Sequence, residues 1–194
     1  MSLRKEKLLA LANVDLNNKS ISDLRFLFRE VLKSGMRGLC SSPYEEGQEP
    51  GDQLSEEQVR RRLEIMKPHI KWIRSFSCTE GNELIPKIAK EMGIKTLVGA
   101  WLGDDDEINK KEIAGLIELA NNGYVDIAAV GNEVMYRGDL TEDELLEFIN
   151  EVKEGITVDI PVGYVDAYYE FSERPAIMEA CDIILANCYP FWEG

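Results

Sequence analysis

The sequence predicts an α/β chain in which about six strands alternate with helices, and three observations predict it. Short apolar runs of strand length alternate with stretches whose apolar residues recur at helical spacing. Repeats of this kind form right-handed βαβ units around a parallel sheet. The phosphate loop of a doubly wound sheet is missing, since neither GxGxxG nor GxxxxGK[ST] follows the first strand. Aromatic and polar residues gather instead just after the strands: Tyr44, Trp101, Asn132 with Glu133, Tyr164 with Asp166, and Tyr189 with Trp192. Residues collected at the C-terminal strand ends are how a (β/α)8 TIM barrel builds a site, and with about six βα units the barrel is incomplete.

Each element has its own signal. Residues 1–35 read as an N-terminal extension with one amphipathic helix, and 36–194 as the partial barrel. In the extension, 1–22 hold no clear element, whereas 23–33 (DLRFLFREVLK) set Leu24, Phe26, Leu27 and Val31 on one helical face, ended by Gly35. The first strand is 37–42, followed by the loop SPYEEGQEPGDQ. Ser55 with Gln58 reads as a capping box opening a helix that carries Val59, Leu63 and Met66 and stops at Pro68. A second strand at 69–76 leads to a helix at 82–92, ended by Gly93. The third strand, 94–102, trails an acidic loop, and the next helix, 110–121, turns Ile113, Leu116, Ile117 and Ala120 inward. A fourth strand at 125–130 precedes a capping box of Thr141 and Glu144, whose helix runs to about Glu154. The fifth strand is 160–164, a short helix covers 175–180, and the sixth strand is 182–187.

Composition narrows the function. The 194 residues are 44% apolar and 30% charged, which suits one globular domain with a real core. A formal net charge of −14 argues against nucleic acid and anionic membranes as partners and is compatible with a neutral polysaccharide. No apolar run approaches a membrane span, and the opening MSLRKEKLLALANVDLNN is too broken for a secretory signal, which leaves the localisation open. Cys40, Cys78, Cys181 and Cys188 form no CxxC pair and His69 is the only histidine, so neither a zinc site nor a histidine base is expected. No cofactor is expected. The cysteines read as reduced, three of them as small hydrophobes on or beside strands.

The densest chemistry lies at 127–139, IAAVGNEVMYRGD. Gly131 breaks the strand, and Asn132 and Glu133 follow at once. A carboxylic acid buried at such a strand end holds its proton more tightly, which suits a general acid near neutral pH. On these residues alone, the start of a solvated loop is the better reading of Glu133.

Six segments then carry a family likeness: GLCSSPYEEGQEPG at 38–51, IRSFSC at 73–78, VGAWLG at 98–103, VGNEVMYRGDLT at 130–141, PVGYVDAYYEF at 161–171 and ANCYPFWEG at 186–194. On these the chain resembles glycoside hydrolase family 17, the β-1,3-glucanase group, in its bacterial and fungal cell-wall type. The resemblance implies hydrolysis or transglycosylation of β-1,3-glucan with retention of configuration, by two carboxyl groups about 5–5.5 Å apart. It implies Glu133 as the acid/base and Asn132 as a hydrogen-bond partner of the sugar 2-hydroxyl. Family members are often secreted or held in the cell envelope.

Around that pair, Arg74 points toward the site or pairs with a core carboxylate. Tyr44, Tyr164 and Tyr189 are candidates to bond sugar hydroxyls, and Trp101 and Trp192 to stack on a pyranose, with a core role as the alternative for each. Asp166 is a candidate hydroxyl ligand or a helix cap. The acidic run at 104–107 lacks EF-hand spacing and reads as a solvated loop, and Glu45, Glu46 and Glu49 as the rim of the cleft. The family's nucleophile is a glutamate at the end of strand seven in a segment like ETGWP, which does not occur here; Glu193 belongs to the loop after strand six. The expectation is therefore an N-terminal fragment, inactive or nearly so alone, with strands one and six as open edges that invite a homodimer. The alternatives are a non-catalytic glucan-binding module and a glucan glucosyltransferase. A TIM-barrel enzyme of another class would need a phosphate-binding segment after strands seven and eight.

Overall fold

The structure, a computed structural model, describes residues 18–189. Helix α1 (Ile21–Ser34) leads into β1 (Met36–Cys40), and α2 (Glu56–Met66) passes through a single 3-10 turn (Lys67–His69) into β2 (Ile70–Ser75). Then come α3 (Leu84–Glu91), β3 (Lys95–Ala100), α4 (Asp106–Asn121) and β4 (Ile127–Asn132). The chain continues through α5 (Val134–Arg137), α6 (Glu142–Gly155), β5 (Val162–Ala167), α7 (Tyr168–Glu173), α8 (Pro175–Ala180) and β6 (Ile183–Asn187).

All six strands pair in parallel, each beside its predecessor, in the order β1-β2-β3-β4-β5-β6. A doubly wound sheet would reverse its order at a switch point. Winding in one direction only makes the wall of a barrel, and the six strands curl as part of one with helices packed outside. The larger core lies between β3–β5 and helices α4 and α6, where Val98, Ile113, Leu116, Val130, Leu145 and Ile149 are fully buried. A smaller one joins α2 and α3 to β2 through Val59, Leu63, Ile73, Ile85 and Ile88.

Several expected boundaries move for local reasons. Helix α4 begins at Asp106 rather than at Lys110, because the Asp105 side chain accepts from the backbone N–H of Glu107 (3.0 Å) and Ile108 (3.1 Å). The acidic run is thus the cap and first turn of a helix, where negative charge meets the positive end of the helix dipole, and not a loop. Thr141 and Glu144 form the expected reciprocal capping box. Ser55 accepts from Gln58 N–H, but the Gln58 side chain turns away to donate to Pro43 O at 2.9 Å, so that box is half made. The helix expected at 82–92 starts only at Leu84, after left-handed backbone at Glu80 and Gly81. Helix α1 begins at Ile21, capped by Ser20, and contributes no buried side chain.

Candidate active site

The end of β4 is irregular. Gly131 takes φ +86°, the β4–β5 register shifts between Ala129 and Asn132, and Glu133 follows in the left-handed region at φ 54°, ψ 33°. Gly131 is suited to this: a Cβ there would lie 2.8 Å from Val134 Cγ2, quite apart from the positive φ. Glu133 has no such freedom, and a non-glycine residue held there costs on the order of 1–3 kcal/mol. Strand β5 holds it, since Glu133 N–H donates to Val165 O at 2.8 Å.

Glu133 is half-buried, and its described hydrogen bonds fall on Oε1. Asn187 Nδ2, at the end of β6, donates to that oxygen at 2.9 Å, and the Tyr189 hydroxyl donates to it as well. Asn132 is buried, and its Oδ1 accepts from Arg74 Nη2 at 2.5 Å. That bond fixes which end of the amide is which: with Oδ1 taken by a cation that can only donate, Nδ2 is the free donor. Arg74 lies 4.5 Å over the Phe76 ring, and its Nε is buried with no hydrogen-bond partner among the described residues. Burial lowers its pKa, while the neighbouring Cys40 thiol and the Glu133 charge pull the other way.

The remaining residues divide. Tyr44 and Trp101 line one cleft of about 500 Å³ at the C-terminal ends of β1–β3, with Pro50, Phe76, Thr79 and Glu112. Tyr44 Oη accepts from Asn82 Nδ2 at 3.3 Å, and Trp101 stays 41% exposed. Tyr164 and Asp166, candidate sugar ligands by sequence, lie deep in β5. Both are buried, at 1% and 0% exposure, and they bond one another and the backbone, with no face open to a substrate. Asp166 does not cap the helix that follows it, whose N-cap is Ala167 with no side-chain bond; its Oδ2 instead accepts from Met135 N–H (3.2 Å) and Tyr136 N–H (3.4 Å) at the start of α5. Burial, reinforced by the bond to Asp166, pushes the Tyr164 phenol well above its ordinary pKa. Trp192 and Glu193 lie outside the described residues.

Three contributors went unassigned in the sequence. Asn187 ends β6 as Asn132 ends β4, and an amide closing an apolar strand was the available signal. Glu112 is 2% exposed and accepts from Ser77 Oγ (2.6 Å), Thr79 Oγ1 (2.6 Å), Cys78 N–H (2.8 Å) and Trp101 N–H (3.1 Å). It ties the loops after β2 and β3 together beneath the cleft, and its helical spacing with Ile113 and Leu116 marked it as inward. Burial, and then the charge of Glu112, push the Cys78 thiol far above its usual pKa and keep it unreactive. Arg137 bonds Asn132 O, Leu102 O (2.8 Å) and Asp139 Oδ2 (2.6 Å) and lies 4.6 Å over the Trp101 ring.

Comparison with known proteins adds to this geometry. A family model described as the BtgE/BtgC glycoside hydrolase domain matches residues 38–194. A glucan 1,3-beta-glucosidase, BGL2 of Candida albicans, is 30% identical over 148 residues, which is 68% of this chain and 48% of that protein. The glucan 1,3-beta-glucosidase of Schizosaccharomyces pombe is 29% identical over 144 residues, 68% of this chain and 45% of its own length. Among solved structures, an active-site mutant of Rhizomucor miehei beta-1,3-glucanosyltransferase in complex with laminaritriose superposes with a TM-score of 0.68 and 26% identity. That match covers 84% of this chain and 60% of that one. The chain thus spans less than half the length of the curated relatives it matches.

Proposed function

The chain belongs to the BtgE/BtgC glycoside hydrolase domain family, and from that premise we propose that it acts on β-1,3-linked glucan with Glu133 as acid/base. The observation that carries this is the Glu133 turn: a carboxyl group held in a left-handed conformation at a C-terminal strand end, fixed on one oxygen by Asn187 and Tyr189. The glucosidase and glucanosyltransferase relatives support the substrate class.

In this reading Glu133 protonates the glycosidic oxygen as the bond to the anomeric carbon breaks. Asn132 Nδ2 donates to the sugar 2-hydroxyl, a contact that strengthens as the ring gains oxocarbenium character. Arg74 acts one step back, orienting that amide through Oδ1. Trp101, with Arg137 over its ring, is the platform for a pyranose in the cleft, and Tyr44 bonds a hydroxyl at the cleft's far wall. Configuration is retained, and the second carboxylate, about 5–5.5 Å from the first, comes from outside residues 18–189.

The test is cleavage of laminarin-type β-1,3-glucan by the natural gene product and by its Glu133→Gln variant. The variant is expected to lose about 10²–10⁴-fold in rate, the usual worth of a positioned general acid. Glucan that binds without being cut by the unmutated protein would replace the enzyme with a binding module. Longer oligosaccharides among the products, rather than shorter ones alone, would identify glucosyl transfer.

A further inference from the structure

Two residues of β5 that do not face the site have the geometry to control it. Asp166 and Tyr164 alternate with Val165 along the strand, and all three bond the Glu133 turn. Val165 O accepts Glu133 N–H, and the Tyr164 hydroxyl accepts Met135 N–H at 3.0 Å. Asp166 Oδ2 takes the Met135 and Tyr136 N–H and the Tyr164 hydroxyl, while Oδ1 takes Ala167 N–H at 2.7 Å. The first amides of a helix have no partner within it, and here a buried carboxylate supplies one. Relaxing Glu133 out of its left-handed conformation would swing the amides of 135 and 136 away from Asp166, stranding a buried charge.

We propose that Asp166, with Tyr164, is the positioning residue of Glu133: it locks the strained turn from the neighbouring strand and so aims the acid/base carboxyl at the glycosidic oxygen. The inference rests on the proposed role of Glu133, but its structural half stands apart from that role. The pair touches no substrate. It acts on where the Glu133 carboxyl sits, so it governs the chemical step and leaves sugar binding to the cleft.

The experiment compares the unmutated protein with Tyr164→Phe and Asp166→Ala in two readouts. Tyr164→Phe keeps the ring in the core and removes only the hydroxyl, so it folds even where Asp166→Ala does not. The first readout is amide hydrogen exchange, expected to speed up roughly tenfold or more at Met135 and Tyr136 while the helix amides of α4 and α6 are unchanged. The second is the kinetics of β-1,3-glucan cleavage, in which kcat is expected to fall roughly tenfold with KM within about twofold. Unchanged exchange at 135 and 136 in both variants overturns the lock. A raised KM with unchanged kcat overturns it too, and returns Asp166 to the substrate. Should the unmutated protein cleave no glucan, the proposed function fails while the exchange readout still decides whether the turn is held from β5.

Discussion

Arg137, the partly buried last residue of α5, shows how much of a site can hang on one side chain. Its five donors form a rigid fork, and here the fork spans the ends of two strands, bonding Leu102 O and Asn132 O while Asp139 anchors Nε. The flat cation also covers the Trp101 ring, so the site's aromatic residue and the backbone beside Glu133 share one support. Arg137→Met keeps the aliphatic stem and leaves two carbonyls short of a donor, an expected loss of about 1–3 kcal/mol by denaturant titration. KM for glucan is expected to rise several-fold as Trp101 loses its backing; an unchanged KM would remove Trp101 from the sugar-binding surface. At this scale the sequence marks candidates where polarity interrupts an apolar run, as at Asn132 and Glu133. At Tyr164 and Asp166 it left the direction of the side chains open, because every residue of β5 is buried. A strand covered on both faces shows no alternation to say which side chains face the site and which serve the wall.

At the scale of elements, the sheet sets the site by register. Gly163 of β5 pairs with Ile183 of β6, and a Cβ at 163 would fall 2.2 Å from Ile183 O. Gly163→Ala therefore forces the two backbones apart, and the strand displaced is the one that delivers Asn187 and Tyr189 to Glu133. The expected outcome is a loss of roughly 1–3 kcal/mol from overpacking together with a weakened Asn187–Glu133 contact, read by denaturation and by glucan turnover. Full turnover in a destabilised variant would show that β6 does not position the acid. Elements with strong local codes were legible, as the Thr141–Glu144 box shows, whereas the fourth strand lies two residues beyond its expected 125–130, at Ile127–Asn132, because its ladder continues through Gly131. Those set by side chains reaching across the fold were not, as with Gln58, which abandons its own helix cap for Pro43 O. The short α5 was hidden too, because its amides are satisfied by β5 and not by a local cap.

For the whole molecule, one-directional winding brings the C-terminal ends of β1–β6 to one rim, where the loops after β1–β3 form the cleft. It also leaves β1 and β6 with one neighbour each among the described residues, and Leu39 and Ile184 on them are 37% and 39% exposed. Open parallel edges with apolar side chains recruit further strands, so the 194-residue chain is expected to self-associate in sedimentation velocity. Ile184→Lys, a charge on that edge, is expected to return it to monomer; a monomer without the substitution would show that the edges are covered in solution. Barrel topology was legible because each strand lies beside the one before it, which is the arrangement a regular alternation of strand and helix favours. If the Glu133 turn supplies a proton to a β-glucan leaving group, the effect of removing it depends on how much the leaving group needs that proton. Glu133→Ala in the natural gene product should be compared on β-1,3-glucan and on a dinitrophenyl glycoside of the same sugar, whose leaving group needs no proton. In kcat/KM, which reports the bond-breaking step, the variant is expected to fall by about 100-fold or more on glucan and to change little on the aryl glycoside. Equal losses of kcat/KM on both substrates, or none on either, would remove Glu133 from the proton-donor role.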